Sequence, residues 1–192
     1  MEISNIDLKS AEQAVKMLFE SLNIELEPET PKRFISMIYD LTKCHNISNH
    51  EIADMVNKSF EIDTNSNSQN MVLIRDIDAF SLCEHHIALI YDMKISVAYI
   101  PKNLVLGLSK IVRAVSMVCK RLQLQEKIGN DIVDVMQILT KSKDIAVHIR
   151  AKHSCITARG IQNASAETIT TNFSGKFLEN NFLRDSFLKN IK

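Results

Sequence analysis

Four consecutive residues, Cys83-Glu84-His85-His86, set a thiolate donor, a carboxylate and two imidazoles side by side. Cys83 and His86 stand three apart, so one turn of backbone can aim both at a single metal ion and leave His85 beside it as a free base. Downstream, His153-Ser154-Cys155 adds an imidazole and a thiol two residues apart. In a strand, that spacing points both to the same face. Cys83, His86 and Cys155 together make a Cys-His-Cys set. Three protein ligands leave a fourth tetrahedral position for water, the arrangement of catalytic rather than structural zinc, and no fourth protein ligand is evident. The competing reading is plain packing. Cys-x-x-His recurs by chance, and a buried cysteine often serves as a small apolar filler, so the spacing alone leaves both open.

The elements that must position these residues belong to a chain of ordinary globular composition. Its 192 residues are enough to bury a core without covalent staples, and 45% hydrophobic with 24% charged residues fits that class. Twenty-three basic and twenty-three acidic residues cancel. There is no bulk field for nucleic acid or membrane, and any anionic ligand must be held by a local cluster. Residues 1–7 are acidic and lack the basic start and apolar run of a signal peptide. No apolar stretch approaches the roughly 18 residues of a membrane helix. Cys44, Cys83, Cys119 and Cys155 are too widely spaced to suggest a disulfide framework. The expectation is a cytoplasmic protein.

The first third reads as helical. Ser10-Ala11-Glu12-Gln13 has the form of a capping box, followed by Ala14, Val15, Leu18, Phe19 and Leu22 at helical spacing. Thr30-Pro31 predicts a second helix with Thr30 as N-cap, and Ser48-Asn49-His50-Glu51 a third with a capping box of its own. Cys44, His45 and His50 are read as ordinary residues of this region. The polar run from Glu61 to Asn70 has loop chemistry. It divides a helical segment, 1–60, from a domain spanning 71–192, with 61–70 as linker. Met71–Ile77 is a strand candidate, and Lys94–Ile100 alternates with Ile95, Val97 and Tyr99 on one face. A helix is expected near Ser109, capped by its hydroxyl, and a second one carries Ile128, Ile132, Val135, Met136 and Leu139. Asp144–Lys152 alternates again, Ser165–Phe173 is Thr-rich and strand-like, and Asn181–Ile191 is amphipathic. The order is two strands, two helices, two strands: an α+β class. His148 and Arg150 fall on a polar strand face and Cys119 in a helical core.

Several blocks carry a family resemblance: Phe80-Ser81-Leu82-Cys83-Glu84-His85-His86, Val97-Ala98-Tyr99-Ile100-Pro101, Gly107-Leu108-Ser109-Lys110, Arg121 to Glu126, and His153-Ser154-Cys155 with Ala158-Arg159-Gly160. With Glu29-Thr30-Pro31-Lys32-Arg33 upstream, they run in order as in GTP cyclohydrolase I, and the chain resembles that family. The resemblance implies a tunnelling fold, a four-stranded antiparallel sheet with two helices behind an N-terminal helical segment. It also implies sheets joined edge to edge in five-membered rings, two of which stack as a homodecamer with active sites between subunits. The implied reaction takes GTP and water to formate and 7,8-dihydroneopterin triphosphate, the first step toward folate-type pterins.

The same resemblance assigns roles. Opening the guanine imidazole requires water to attack a weakly electrophilic carbon, and zinc lowers the pKa of bound water to about 7. Cys83, His86 and Cys155 match the family's zinc (Zn2+) ligands. The ring nitrogen beside the attacked carbon must take a proton, and histidine titrates in a suitable range; His85 and His153 match the family's catalytic histidines. Glu126 matches the carboxylate that accepts guanine's adjacent N–H and amino group, and Gln125 beside it counts with Glu126 among the substrate-binding residues the resemblance implies. Lys110, Arg113, Arg159 and Arg33 match positions that hold the triphosphate, and Ser109 one implicated in rearranging the opened ribose.

Departures are few. Ser36 stands where relatives often have a phosphate-binding Lys, Asn23 to Pro28 replaces an acidic, Arg-containing loop, and Met93 stands where a turn Gly is common. Rival readings are another tunnelling-fold enzyme, whose three-His zinc site or cysteine nucleophile does not fit these residues, and a non-catalytic, zinc-stabilised ring-forming paralogue that binds a purine or pterin. The paralogue reading predicts loss of His85, His153 or Glu126, and all three are present.

Overall fold

The computed structural model describes residues 7–57, 59–61 and 70–192. Three helices come first: α1 (Leu8–Ser21), α2 (Thr30–Thr42) and α3 (Asn49–Val56). The α3 capping box forms as expected, with Ser48 accepting from the Glu51 N–H while the Glu51 carboxylate takes the Ser48 N–H. The other two caps differ from expectation. The carboxylate of Asp7 caps α1 by accepting from the Ser10 N–H, and Ser10 donates its own hydroxyl to Asp7. A carboxylate three residues ahead supplies a stronger acceptor than the serine hydroxyl. In α2 the cap position is Glu29, and Thr30 already lies inside the helix beside Pro31.

The body is a four-stranded antiparallel sheet in the order β2 (Val72–Cys83), β3 (Ala88–Tyr99), β5 (Ile145–His153), β6 (Thr168–Phe173). A small pair, β1 (Ser59–Glu61) with β4 (Leu104–Leu106), adjoins it. Residues 62–69 of the expected linker lie outside the described residues. The strand alternation read from the sequence sorts the two faces. Ile95, Val97 and Tyr99 of β3, with Ile145, Val147, Ile149 and Ala151 of β5, bury into the main core. There they meet α4 (Leu108–Cys119), α5 (Gln125–Thr140) and α3, whose Ile52, Ala53 and Val56 are almost wholly buried. Cys119 is part of this core, and burial pushes its thiol up to about 12.

Ala98, Ile100 and Ala146 face the other way and are covered by α7 (Lys176–Glu179) and α8 (Asn181–Asn190) through Phe177, Leu183 and Phe187. Phe173, Phe177 and Phe187 form a triangle with ring centroids 6.1–6.5 Å apart. Phe182, an apolar residue of this amphipathic last helix, is 78% exposed. Leu183 and Phe187, one turn apart, take the inward stripe and turn Phe182 away from it.

β2 and β3 are both longer than their alternation suggested. β2 runs past Ile77 to Cys83, and β3 begins at Ala88 rather than Lys94. Each strand carries a bulge that breaks the period of two, at Asp76 (φ 58°) and Asp92 (φ 49°). Met93 therefore sits buried inside β3, opposite Ala79, and not in a hairpin turn.

One buried ion pair ties the helical segment to this body. Arg121 donates to Asp131 (2.8 Å) and Asn49 (2.8 Å) and to the carbonyls of Cys44 and Ile47, and Lys127 bonds the same Asp131 carboxylate. Among the described residues no helix is long and apolar enough to cross a membrane.

Candidate active site

The tight turn Glu84–Ile87 joins β2 to β3, and the last ladder pair before it is Cys83 with Ala88. The turn closes through Ile87 at φ 51°, a conformation that costs a β-branched residue energy and is held by the strands on either side. It exposes Glu84, His85 and His86, while Cys83 stays 5% exposed at the strand end. The two imidazole rings stand nearly perpendicular, with centroids 6.4 Å apart.

β5 ends beside this turn. Ile90 of β3 pairs with Ser81 on one side and with His153 on the other, so the three form a row across the sheet close to the Cys83–Ala88 pair. The expectation that His153 and Cys155 share a strand face is corrected here. The strand stops at His153, and Cys155 lies in the single turn α6 (Ser154–Thr157). Ser154 donates its hydroxyl to the Leu89 carbonyl (2.9 Å) and Tyr91 donates to Thr157 (2.9 Å), which straps α6 across β3. The half-buried Cys155 is thereby carried to the same end of the sheet as Cys83 and His86.

The start of α5 reaches this end by a third route. Leu122 bridges to Leu82, the Gln123 N–H donates to the Leu82 carbonyl (3.1 Å), and Ser81 donates to the Arg121 carbonyl (3.2 Å). Leu124 then caps α5 in extended form, and Gln125 and Glu126 are its first two residues. Glu126 is exposed in the first turn, where the helix dipole favours a carboxylate. Gln125 is 1% exposed, and its Oε1 lies 2.8 Å from His153 Nε2. Burial lowers the pKa of His153, and the Glu126 carboxylate opposes that shift.

The remaining predicted residues lie on other elements. Ser109, Lys110 and Arg113 are on α4, Arg33 is on α2, and Arg159 is in the loop after α6. Ser109 is not the cap of α4. Gly107 holds that position and Ser109 is the second helical residue, with an exposed side chain.

As a metal site, the donor set suits zinc in kind: two unpaired thiols and an imidazole, on two segments that meet at one sheet end. As the side chains stand, no three His, Cys, Asp or Glu groups among the described residues form a cluster that could hold a metal ion. Two residues that the motifs did not single out matter for this geometry. Tyr91 and Ser154 position Cys155 through contacts 65 or more residues apart in sequence, which no local signal announces.

The profile of the GTP cyclohydrolase I family matches residues 9–192. A GTP cyclohydrolase 1 of Clostridium botulinum strain Hall is 46% identical over 178 residues, covering 90% of this chain and 91% of the relative. The protein of the same name from Clostridium acetobutylicum is 45% identical over 178 residues, with the same coverage. That from Clostridium beijerinckii is 42% identical, covering 97% of this chain and 98% of its own length. A sheet end that gathers the Cys83–His86 turn, His153 and Glu126, in a chain matched over nearly its whole length, places this protein in the GTP cyclohydrolase I family.

Proposed function

We propose that the protein is a zinc-dependent GTP cyclohydrolase I, converting GTP and water to formate and 7,8-dihydroneopterin triphosphate. The observation that carries this reading is the meeting of three segments at one sheet end: the turn with His85 and His86, the end of β5 with His153, and the start of α5 with Glu126. Cys83, His86 and Cys155 would hold zinc, which when bound supplies Lewis acidity toward water at neutral pH.

The chain's own residues account for the rest of the chemistry. Glu126 accepts the N–H and amino group on the edge of guanine in bidentate fashion. Gln125 backs this position from inside the protein. His85 and His153 move protons. Burial keeps His153 neutral more readily than an ordinary histidine, so it first accepts a proton and then returns it to the ring nitrogen left by C–N cleavage. Lys110, Arg113, Arg159 and Arg33 bind the triphosphate, and Ser109 acts on the opened ribose.

A tunnelling fold assembled as two stacked pentamers, with sites shared between subunits, completes the proposal. The division into a helical segment, linker and catalytic domain is retained within it. Four unpaired cysteines suit a reducing compartment, the cytoplasm.

GTP labelled at the carbon between the imidazole nitrogens tests the reaction. The expected result is labelled formate released in step with GTP consumed. A metal-loaded, folded protein that leaves the label in the nucleotide overturns the reading.

A further inference from the structure

Gln125 is engaged by protein on both ends of its amide. Its Nε2 lies 3.1 Å from the Thr168 carbonyl, 3.2 Å from the Thr170 hydroxyl and 3.4 Å from the Ile149 carbonyl. Carbonyl oxygens only accept, so the NH2 end must face β5 and β6. Flipping the amide would set Oε1 against two carbonyls and lose both donors. The orientation leaves Oε1 pointing at His153 Nε2, 2.8 Å away. An amide oxygen can only accept, so Nε2 must carry the hydrogen. In the neutral ring Nδ1 is then bare.

We infer that Gln125 is a positioning residue that holds the His153 ring in place as its Nε2–H tautomer, with Nδ1 turned away from Gln125. The part of this inference that concerns turnover rests on the proposed function; the tautomer assignment does not. Two features make the device firm. Gln125 is 1% exposed, so water does not compete for its oxygen. Its partners belong to two adjacent strands, Ile149 and His153 of β5 and Thr168 and Thr170 of β6, so rotating the amide would break contacts on both together. A residue placed this way acts on kcat through His153 and does not contact GTP.

The test begins with the unaltered protein. Histidine labelled with 13C and 15N is observed by solid-state NMR at about pH 8, where the ring is neutral. His153 is assigned by the signal lost in His153→Gln. The expected result is a hydrogen-bearing nitrogen that correlates with Cδ2, which identifies Nε2. Hydrogen on Nδ1, or a mixture of tautomers, overturns the inference whether or not the protein turns over GTP. In Gln125→Met the His153 signals should split between tautomers, and kcat should fall by roughly 10- to 100-fold with KM within about twofold. A raised KM with unchanged kcat would make Gln125 a substrate contact and contradict its role. If Gln125→Met does not fold, the spectrum of the unaltered protein still decides the assignment. If the unaltered protein shows the tautomer but no turnover, the proposed function fails and the tautomer assignment stands.

Discussion

Neighbouring residues at the start of α5 have opposite surroundings, and that contrast assigns their work. Glu126 is exposed and can meet a ligand, whereas the Gln125 side chain is taken up by His153 and by strands β5 and β6. Glu126→Gln keeps the size but replaces a two-point acceptor with one that must also present an NH2. Losing one charged hydrogen bond should lower kcat/KM for GTP by about 10- to 100-fold. The comparison ligand is inosine triphosphate, which lacks the amino group. The unaltered protein should discriminate against it and the variant should not; equal discrimination in both would remove Glu126 from base recognition. His85 and His86 separate in the same manner. His86→Gln should lose zinc by metal analysis. His85→Gln should keep its zinc and lose about 100-fold or more in kcat, as expected for a proton-transfer group.

Among the elements, the Leu122–Leu124 segment that delivers α5 to the sheet end depends on Arg121. This guanidinium is 6% exposed and joins Asp131, Asn49 and two carbonyls of the helical segment. Arg121→Ala would leave the Asp131 carboxylate, itself 6% exposed, with the Asn49 amide and the exposed Lys127 ammonium in place of its buried cation. Breaking one side of a buried pair should cost about 3–5 kcal/mol in urea unfolding; a loss under about 1 kcal/mol would mean the pair is not buried in solution. How much of this was legible in sequence follows from range. The β3 and β5 faces and the Ser48–Glu51 cap were readable because period two and a four-residue box are local. The true extents of β2 and β3 were not, because bulges at Asp76 and Asp92 reset the alternation. Cys83, Glu84, His85 and His86 were recognisable by residue type. The strap of α6 on β3 and the bond from Gln125 to His153 span 28 to 66 residues. Only the folded topology reveals them.

At the scale of the whole molecule, charge and surface make two further claims. His148 and His153 both have pKa values lowered from the ordinary 6.5, in each case chiefly by burial. Above that value both rings are neutral, folded or unfolded, and contribute nothing. Below it the unfolded chain takes up protons that the folded chain resists, so stability falls with pH until the folded rings protonate. Metal-free protein should therefore unfold at lower denaturant at about pH 5.5 than at about pH 8. His148→Gln should narrow that gap, and an unchanged gap would put its cause elsewhere. The surface bears on assembly. β2 and β6 are the outer strands of the main sheet, and Met17 and Leu18 of α1, Leu22 just after it and Met37 of α2 are exposed. Such edges and patches suit burial between subunits, and sedimentation should find a decamer of the 21.8 kDa chain. The most direct test of the central claim is GTP turnover followed by the absorbance of dihydroneopterin triphosphate, before and after chelation and again after zinc is restored. Product that forms, stops on chelation and returns with zinc is the predicted result; a zinc-loaded oligomer that forms none would contradict the account.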